Sequence, residues 1–455
     1  MNNIEAIVKE LLILEEKSNI DKMRILDFPI WNIVKYKVRG DYIVKKTKGD
    51  KMSTSKRTVS SLLNPFFLWN SFWSFNKILF GLSKADSILM GFSRPEYFKG
   101  LYIDKFLDPV IELTELKNSY LYFEYGKGAK HKLPRMHSDH ICYTEFIHVI
   151  SYLISKFLSY PFCFFYNREI TLFKDKIDAV LDLSYSKRYF SSVIVEFKIL
   201  VYFYSIILKR TGAKRIFGVN RVLFKPISFA AHKRGLVVYE LQHGVAFGPT
   251  RLESGVYEPE IDPDYYLLFG ESCPRDIFGM PVDRVINVGW AFNEFLLENN
   301  ASRPCNDSCL VISEPHISNK IINITIQLAQ CFPNIIFHIR RHPMEEFSIE
   351  QSRRFSNIPN IIDTTDRENS GLVVMKYRYV IGENSTVLFE ALQMGKNVGR
   401  LSFGGLSPLG VNEEDSFYYI HSVEDFGGFL SATPTKPKTC TYSPFKKNLF
   451  NSFLS

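Results

Sequence analysis

NIIFHIRRHP (334–343) and YRYVIGENST (377–386) decide how this 455-residue chain is read. Each is a short apolar run, rich in β-branched and aromatic residues, that ends in polar or turn-forming residues. That is the pattern of a strand buried on both faces. The second run leads directly into TVLFEALQMG (386–395), whose apolar residues fall at helical spacing. Strand, tight turn and helix in succession form the unit of a parallel sheet covered by helices.

The same rhythm extends outward in both directions. CLVISEP (309–315), NIIDTTD (360–366) and NVGRLSF (397–403) supply further strands, with ISNKIINITIQLAQCF (317–332) as a helix among them. In the first half, DSILMGF (86–92), YLYFEYG (120–126) and AVLDLSY (179–185) read as strands, then the long apolar helix YFSSVIVEFKILVYFYSIILKRTG (189–212). RIFGVN (215–220), LVVYELQHG (236–244), YYLLFGE (265–271) and RVINVGW (284–290) follow. Two α/β domains of Rossmann type facing a central cleft are therefore expected. The predicted boundaries are a helical and basic segment at 1–84, a first domain at 85–262, a second at 263–430 and a tail at 431–455, with the crossover near Pro259–Asp264.

Composition narrows the function. A hydrophobic share of 46% fits a soluble globular enzyme, and the net charge of +8 admits nucleic acid, an anionic membrane surface or acidic substrates as partners. No nucleic-acid-binding motif accompanies the charge, so nucleic acid is not expected. The seven cysteines are scattered, and Cys305 and Cys309 have no second pair at zinc spacing, so no metal site is predicted. Their odd number, with an acidic–apolar N-terminal helix at Ile4–Glu16 in place of a signal peptide, predicts a cytoplasmic location. Trp31, Val34 and Val38 sit at helical spacing. Lys45, Lys46, Lys48, Lys51, Lys56 and Arg57 then read as a mobile, solvated loop. In 62–82, Phe66, Trp69, Trp73 and Phe80 recur near helical spacing after Pro65, a good first-turn residue. That helix either lies at an anionic membrane surface, peripheral to its inner face, or packs on its own domain.

Three motifs stand where strands hand over to loops, which is where open parallel sheets bind ligands. Gln242, His243 and Gly244 follow an apolar strand. The imidazole can take a proton from an acceptor hydroxyl, and glycine lets backbone approach a ligand, although a buried histidine bonded to a carbonyl fits equally. Arg340, Arg341, His342 and Pro343 close the strand NIIFHI and can form an anion site, only one of the two arginines reaching it because neighbours on a strand point to opposite faces. Gly382, Glu383, Asn384, Ser385 and Thr386 open a helix. Its free N–H groups and dipole can cradle phosphate, while Glu390, one turn on, can accept from ribose hydroxyls. Plain N-capping by Asn384 or Ser385 is the simpler alternative. Asp262-Pro263-Asp264 matches a metal-binding DxD pattern by letter but reads as a turn.

Taken together, the QHG, HP and Ser-Thr motifs resemble the GT-B transferases of bacterial surface polysaccharides (capsule and O-antigen). These include the CMP-sialic acid and CMP-Kdo transferases and the CDP-glycerol phosphotransferases of teichoic-acid synthesis. The resemblance implies a metal-independent enzyme with no bound cofactor, whose nucleotide-sugar donor is CMP-, CDP- or UDP-linked and whose acceptor is a glycan or lipid-linked glycan. It implies that His342, Pro343, Ser385 and Thr386 hold the donor phosphate, and that His243 is the base. Glu124-Tyr125-Gly126 departs from the acidic-acidic-Gly motif of the sialyltransferases at its middle position; Asp104, Glu124 and Glu253 are the acidic alternatives to His243. The Trp31 to Arg39 segment is similar to the N-terminal pattern of some capsule and O-antigen transferases. Polyol-phosphate transfer, nucleotide-sugar epimerisation and a non-catalytic assembly role are the alternative functions.

Overall fold

The structure is a computed structural model, described over residues 2–48, 64–92, 95–125, 131–245, 248–250, 253–299, 305–315, 317–342, 345, 347–364, 368–405, 417–434 and 441–455. Two parallel sheets dominate it. The first holds seven strands: β1 (Ser87–Met90), β2 (Tyr120–Glu124), β3 (Ile141–Tyr143), β4 (Arg215–Val219), β5 (Val237–Leu241), β6 (Tyr265–Leu268) and β7 (Val285–Asn287). Their spatial order is β7-β6-β5-β4-β1-β2-β3. The second holds six: β8 (Cys305–Ile312), β9 (Ile336–Arg340), β10 (Ile361–Asp363), β11 (Tyr377–Gly382), β12 (Asn397–Leu401) and β13 (Tyr418–Ile420), in the order β10-β9-β8-β11-β12-β13. Both orders run outward from a central pair and reverse there, which is the doubly wound Rossmann topology. The chain thus has the two-domain GT-B class of fold.

Period-two alternation explains how each strand serves two layers. Ile88, Met90, Leu121, Phe123, Ile216 and Val238 face an outer layer of helices, Pro65–Leu79, Glu145–Phe165, Lys187–Thr211 and Arg221–His232. Leu89, Tyr122, Phe217 and Tyr239 face the opposite way, into an apolar core continuous with Trp290, Phe292 and Phe295 and with Leu310, Ile312 and Val380 of the second sheet. A third cluster joins the N-terminal helices Asn2–Ser18 and Ile30–Lys48, through Leu11, Trp31, Val34 and Val38, to Asn167–Leu181.

The structure departs from expectation in four places. β6 pairs with β5, and β7 with β6, so the boundary expected at 262/263 moves beyond Asn287. AVLDLSY is no strand: Asn167–Leu181 is helical, and Leu183 and Tyr185 then pack against the N-terminal helices. β3, at the sheet's edge, takes the place of that predicted strand. Lys45, Lys46 and Lys48 belong to the helix Ile30–Lys48 and not to a loop, with Lys45 paired to Asp182 and Lys46 to Glu10. Lys51, Lys56 and Arg57 lie outside the described residues.

Candidate functional site

The switch point of the second sheet lies between β8 and β11. Gly382 allows their ends to approach, since a Cβ there would sit 3.3 Å from Ile312 Cβ. Beyond them, Asn384 N donates to Glu314 Oε1 (2.7 Å), and Asn384 Oδ1 accepts from Arg400 Nη2 (2.8 Å). Ser313 N donates to the Arg340 carbonyl (2.9 Å) and Ser313 Oγ to Glu345 Oε1 (2.8 Å), while Glu345 Oε2 receives His342 N (3.0 Å). The end of β8 therefore joins the His342 loop to the Asn384 turn. Glu314 and Glu345, both buried, are the members of this set that the motif reading missed. Isolated glutamates in loops carry no sequence signal of where they fold.

The helix Thr386–Gln393 opens from this turn. Ser385 is its N-cap and accepts from Val387 N at 3.3 Å, so the capping alternative is realised. Capping uses one N–H; the backbone N–H groups of Ser385 and Thr386 and the Thr386 hydroxyl have no partner among the described residues. Thr386 is exposed. Those are accessible donors at the positive end of a helix.

Other predicted members stand elsewhere. Glu383 is fully buried, its carboxylate 2.7 Å from Lys320 Nζ and its carbonyl accepting from Arg400 Nε (2.9 Å); it anchors the turn and does not face a ligand. Arg341 pairs with Asp363 at the edge of the sheet and lies over Phe347 (4.7 Å), and Arg340 donates to the Glu368 carbonyl. Pro343 lies outside the described residues. Glu390 is buried toward the first domain: burial, partly offset by the Lys105 ammonium and reinforced by Glu96, pushes its pKa up to about 7. Its Oε2 has no partner among the described residues, which leaves an acceptor for a hydroxyl.

In the first domain, Gln242 is a clamp and not part of a cleft. Its side chain, 2% exposed, donates to the Gly244 carbonyl (2.8 Å) and accepts from Phe269 N (2.7 Å). That holds His243 at the end of β5, 5.8 Å from the Phe92 ring at the end of β1. A Cβ on Gly244 would meet nothing within 4 Å, so protein packing does not demand glycine there. Glu253 Oε1 lies 3.7 Å from His243 Nδ1. The loop carrying Glu253 is pinned: Ser254 Oγ donates to the Ile277 carbonyl (2.5 Å), and the Ser254 carbonyl accepts from Arg39 Nη1 (2.8 Å). Arg39 and Trp31 both donate to Glu15, which ties the N-terminal segment to this loop.

The other acidic alternatives are already engaged. Asp104 accepts from Phe92 N and from the Tyr122 hydroxyl (both 2.8 Å), and Glu124 is held by His131 (2.5 Å) and Arg135 (2.9 Å). Asp262 is buried, 3.7 Å from both Lys35 and Arg221, and Asp264 pairs with His232 at 3.1 Å, so the two DxD carboxylates are taken up by separate ion pairs.

No family model matches the chain, and no curated protein matches it in sequence. Among solved structures it is similar to the UDP-GlcNAc 2-epimerase from Methanocaldococcus jannaschii, at 12% identity over 81% of this chain and 98% of that one, with a TM-score of 0.47. It is similar to the UDP-GlcNAc 2-epimerase from Neisseria meningitidis bound to UDP-GlcNAc, with the same identity of 12%, coverage of 81% and 98%, and TM-score of 0.47. It is also similar to the wall teichoic acid polymerase TagF, at 11% identity over 81% of this chain and 84% of that one, with a TM-score of 0.42. The assignment of the fold rests on the strand order of its two sheets.

Proposed function

We propose that this chain is a cytoplasmic, metal-independent glycosyltransferase that moves a sugar from a nucleotide-activated donor onto a surface polysaccharide or its lipid-linked precursor. The observation that carries this reading is the pair of polar sets at the carboxyl ends of the two sheets. One is the helix start, whose donors at Ser385 and Thr386 have no partner among the described residues; the other is His243 beside Glu253. Donors at a helix start stabilise negative charge developing on a leaving phosphate. A carboxylate beside Nδ1 favours the tautomer protonated there, leaving Nε2 as the nitrogen that takes a proton from an acceptor hydroxyl. The acceptor oxygen then attacks the donor's anomeric carbon and the nucleotide departs with the bonding pair.

A histidine followed by glycine at the end of β5 also supports a second reading, transfer of a polyol phosphate from a CDP-linked donor to a hydroxyl, with the same base. Thermal shifts with CMP, CDP, UDP and GDP test the donor site. A ligand at a hundred times its Kd adds about 2.7 kcal/mol of stability. Stabilisation by one nucleotide, reduced in Thr386→Val, is the expected result; no shift with any of the four would refute the donor site. Selectivity for the cytidine nucleotides with turnover of CDP-glycerol would favour the second reading, and release of a free epimerised sugar would replace both.

A further inference from the structure

The outer helical layer of the first domain presents an apolar surface to its surroundings. Helix Glu145–Phe165 is built inside out. Ser151, Ser155 and Ser159, one turn apart, are fully buried, and Ser155 Oγ lies 3.3 Å from Ser192 Oγ on the neighbouring helix Lys187–Thr211. Phe157, Phe164 and Phe165 are 76%, 80% and 75% exposed. A helix facing water shows the reverse arrangement. Small residues at the helix contact and large apolar ones outside suit a hydrocarbon environment. Helix Pro65–Leu79 adjoins it, with Phe72 and Phe75 against Phe146 (5.2 and 5.9 Å), and leaves Phe66, Trp69 and Trp73 exposed. Ser71 Oγ donates to the Tyr143 carbonyl at 2.6 Å and Ile78 is buried, so this stripe is held facing outward.

The charges exposed on these two helices have one sign. Lys77 is the only charged residue in 65–82 and Lys156 the only one in 146–165; neither segment has a carboxylate. Arg188 lies 3.9 Å over the Tyr160 ring. Glu145–Phe165 and Lys187–Thr211 are long and apolar enough to cross a bilayer by length and composition. Both are fixed to the domain core on one side, through Ile147, Ile194 and Tyr204. Lipid can therefore meet one face of the layer only. A symmetric contact with a second copy would bring these cations together with no carboxylate from either segment to oppose them.

We infer that this face docks on an anionic lipid bilayer, with Trp69, Trp73, Phe157, Phe164 and Phe165 at the headgroup boundary and Lys77, Lys156 and Arg188 among the lipid phosphates. The stripe begins beside the carboxyl end of β3, where Phe67 meets Tyr143 (5.1 Å), the same end of the sheet as His243. The docking stands independently of the transferase reading, because its test needs no turnover.

The experiment is flotation of the full chain with vesicles of phosphatidylcholine alone or with phosphatidylglycerol, read alongside tryptophan emission. Of the four tryptophans, Trp31 and Trp290 are buried, so a blue shift on adding vesicles reports Trp69 and Trp73. Flotation with anionic vesicles only, with that blue shift, is expected. Trp69→Ser/Trp73→Ser and, separately, Phe157→Ser/Phe164→Ser should each lower the bound-to-free ratio about tenfold while circular dichroism and melting temperature stay unchanged. Absence of flotation overturns the inference. So does equal binding to neutral vesicles, or a concentration-dependent dimer that the substitutions abolish in a chain that does not float.

Discussion

His243 and Glu390 are opposite cases of one problem, a titratable group whose surroundings fix what it can do. His243 is partly open and has a carboxylate 3.7 Å from Nδ1, an arrangement suited to accepting a proton and holding the resulting charge. His243→Ala should lower turnover roughly 10²–10⁴-fold while nucleotide affinity stays within a few-fold. Glu253→Gln should cost less, since the imidazole stays in place and loses only the carboxylate beside Nδ1; near-parental turnover in His243→Ala would remove it as base. Glu390 is enclosed, and burial raises its pKa to about 7 from 4.5. A group that binds its proton more tightly when folded favours the folded state below its unfolded pKa. That contribution is lost as pH rises through the folded value. Stability from Glu390 should thus fall between pH 4.5 and 7, by about 3 kcal/mol in full. Glu390→Gln should abolish this slope in melts taken across the interval, and an unchanged slope would assign it to another group. His243 stood out in the sequence by following an apolar strand, and Glu390 by lying one turn into the helix after Gly382. Glu253's role did not, because the loop carrying it is set by distant contacts with Ile277 and Arg39.

At the scale of elements, the fold shows how far hydrophobic pattern reaches. Central strands such as Leu310–Ile312 and Val380–Ile381 are buried on both faces and read as continuous apolar runs. The edge strands Ile141–Tyr143 and Tyr418–Ile420, three residues each and half-buried, leave no such run. AVLDLSY shows the converse, since Leu181, Leu183 and Tyr185 alternate as a strand would but bury against helices without a ladder. The joint between β2, the start of helix Glu145–Phe165 and helix Pro65–Leu79 was also invisible in the sequence. There the His131 ring contacts Glu124 (2.5 Å) through Nδ1 and Glu145 (2.6 Å) through Nε2, beneath Phe67 (4.4 Å). Burial alone would lower its pKa, but the two carboxylates outweigh it and push it to about 9 from 6.5. The sign follows the same rule: the joint is at full strength below pH 6.5 and weakens as pH rises through 9, losing about 3 kcal/mol. Denaturant titrations at pH 6 and 9.5 should show that loss in the parent and little of it in His131→Gln; equal slopes would mean the imidazolium is not what holds these elements.

On the scale of the whole molecule, the tail at 441–455 makes one body of two domains. After the second sheet the chain returns to the first. Ser443 N donates to the Phe269 carbonyl (2.8 Å), and the Ser443 carbonyl accepts from Trp290 N (2.9 Å). That carbonyl also accepts from Gln393 Nε2 of the second domain (2.9 Å). Helix Lys447–Ser452 then lays the fully buried Phe450 on Phe217, ring centroids 5.2 Å apart. A sequence shows such a return only as an isolated aromatic cluster, so the tail read as an appendage, just as the unbroken strand rhythm hid the true domain boundary. Removing a buried phenylalanine that fills a core costs about 3–5 kcal/mol, so Phe450→Ala should shift the unfolding midpoint strongly although it lies far from both polar sets. The first domain's side of this tail contact offers an independent handle. Gly289 has φ +82° and runs so close to the tail that a Cβ would fall 2.1 Å from the Pro444 carbonyl oxygen. Gly289→Ala should therefore displace the same segment from the opposite side, at more than about 2 kcal/mol. If both substitutions act by undocking one tail, their combined effect must fall short of the sum by at least about 1 kcal/mol, because a tail already displaced cannot be lost twice. Strict additivity would mean that Phe450 and Gly289 stabilise separate parts of the molecule and that the tail is not a single clasp. A shortfall, with calorimetry resolving two transitions in the double variant where the parent shows one, would establish that this segment couples the two halves.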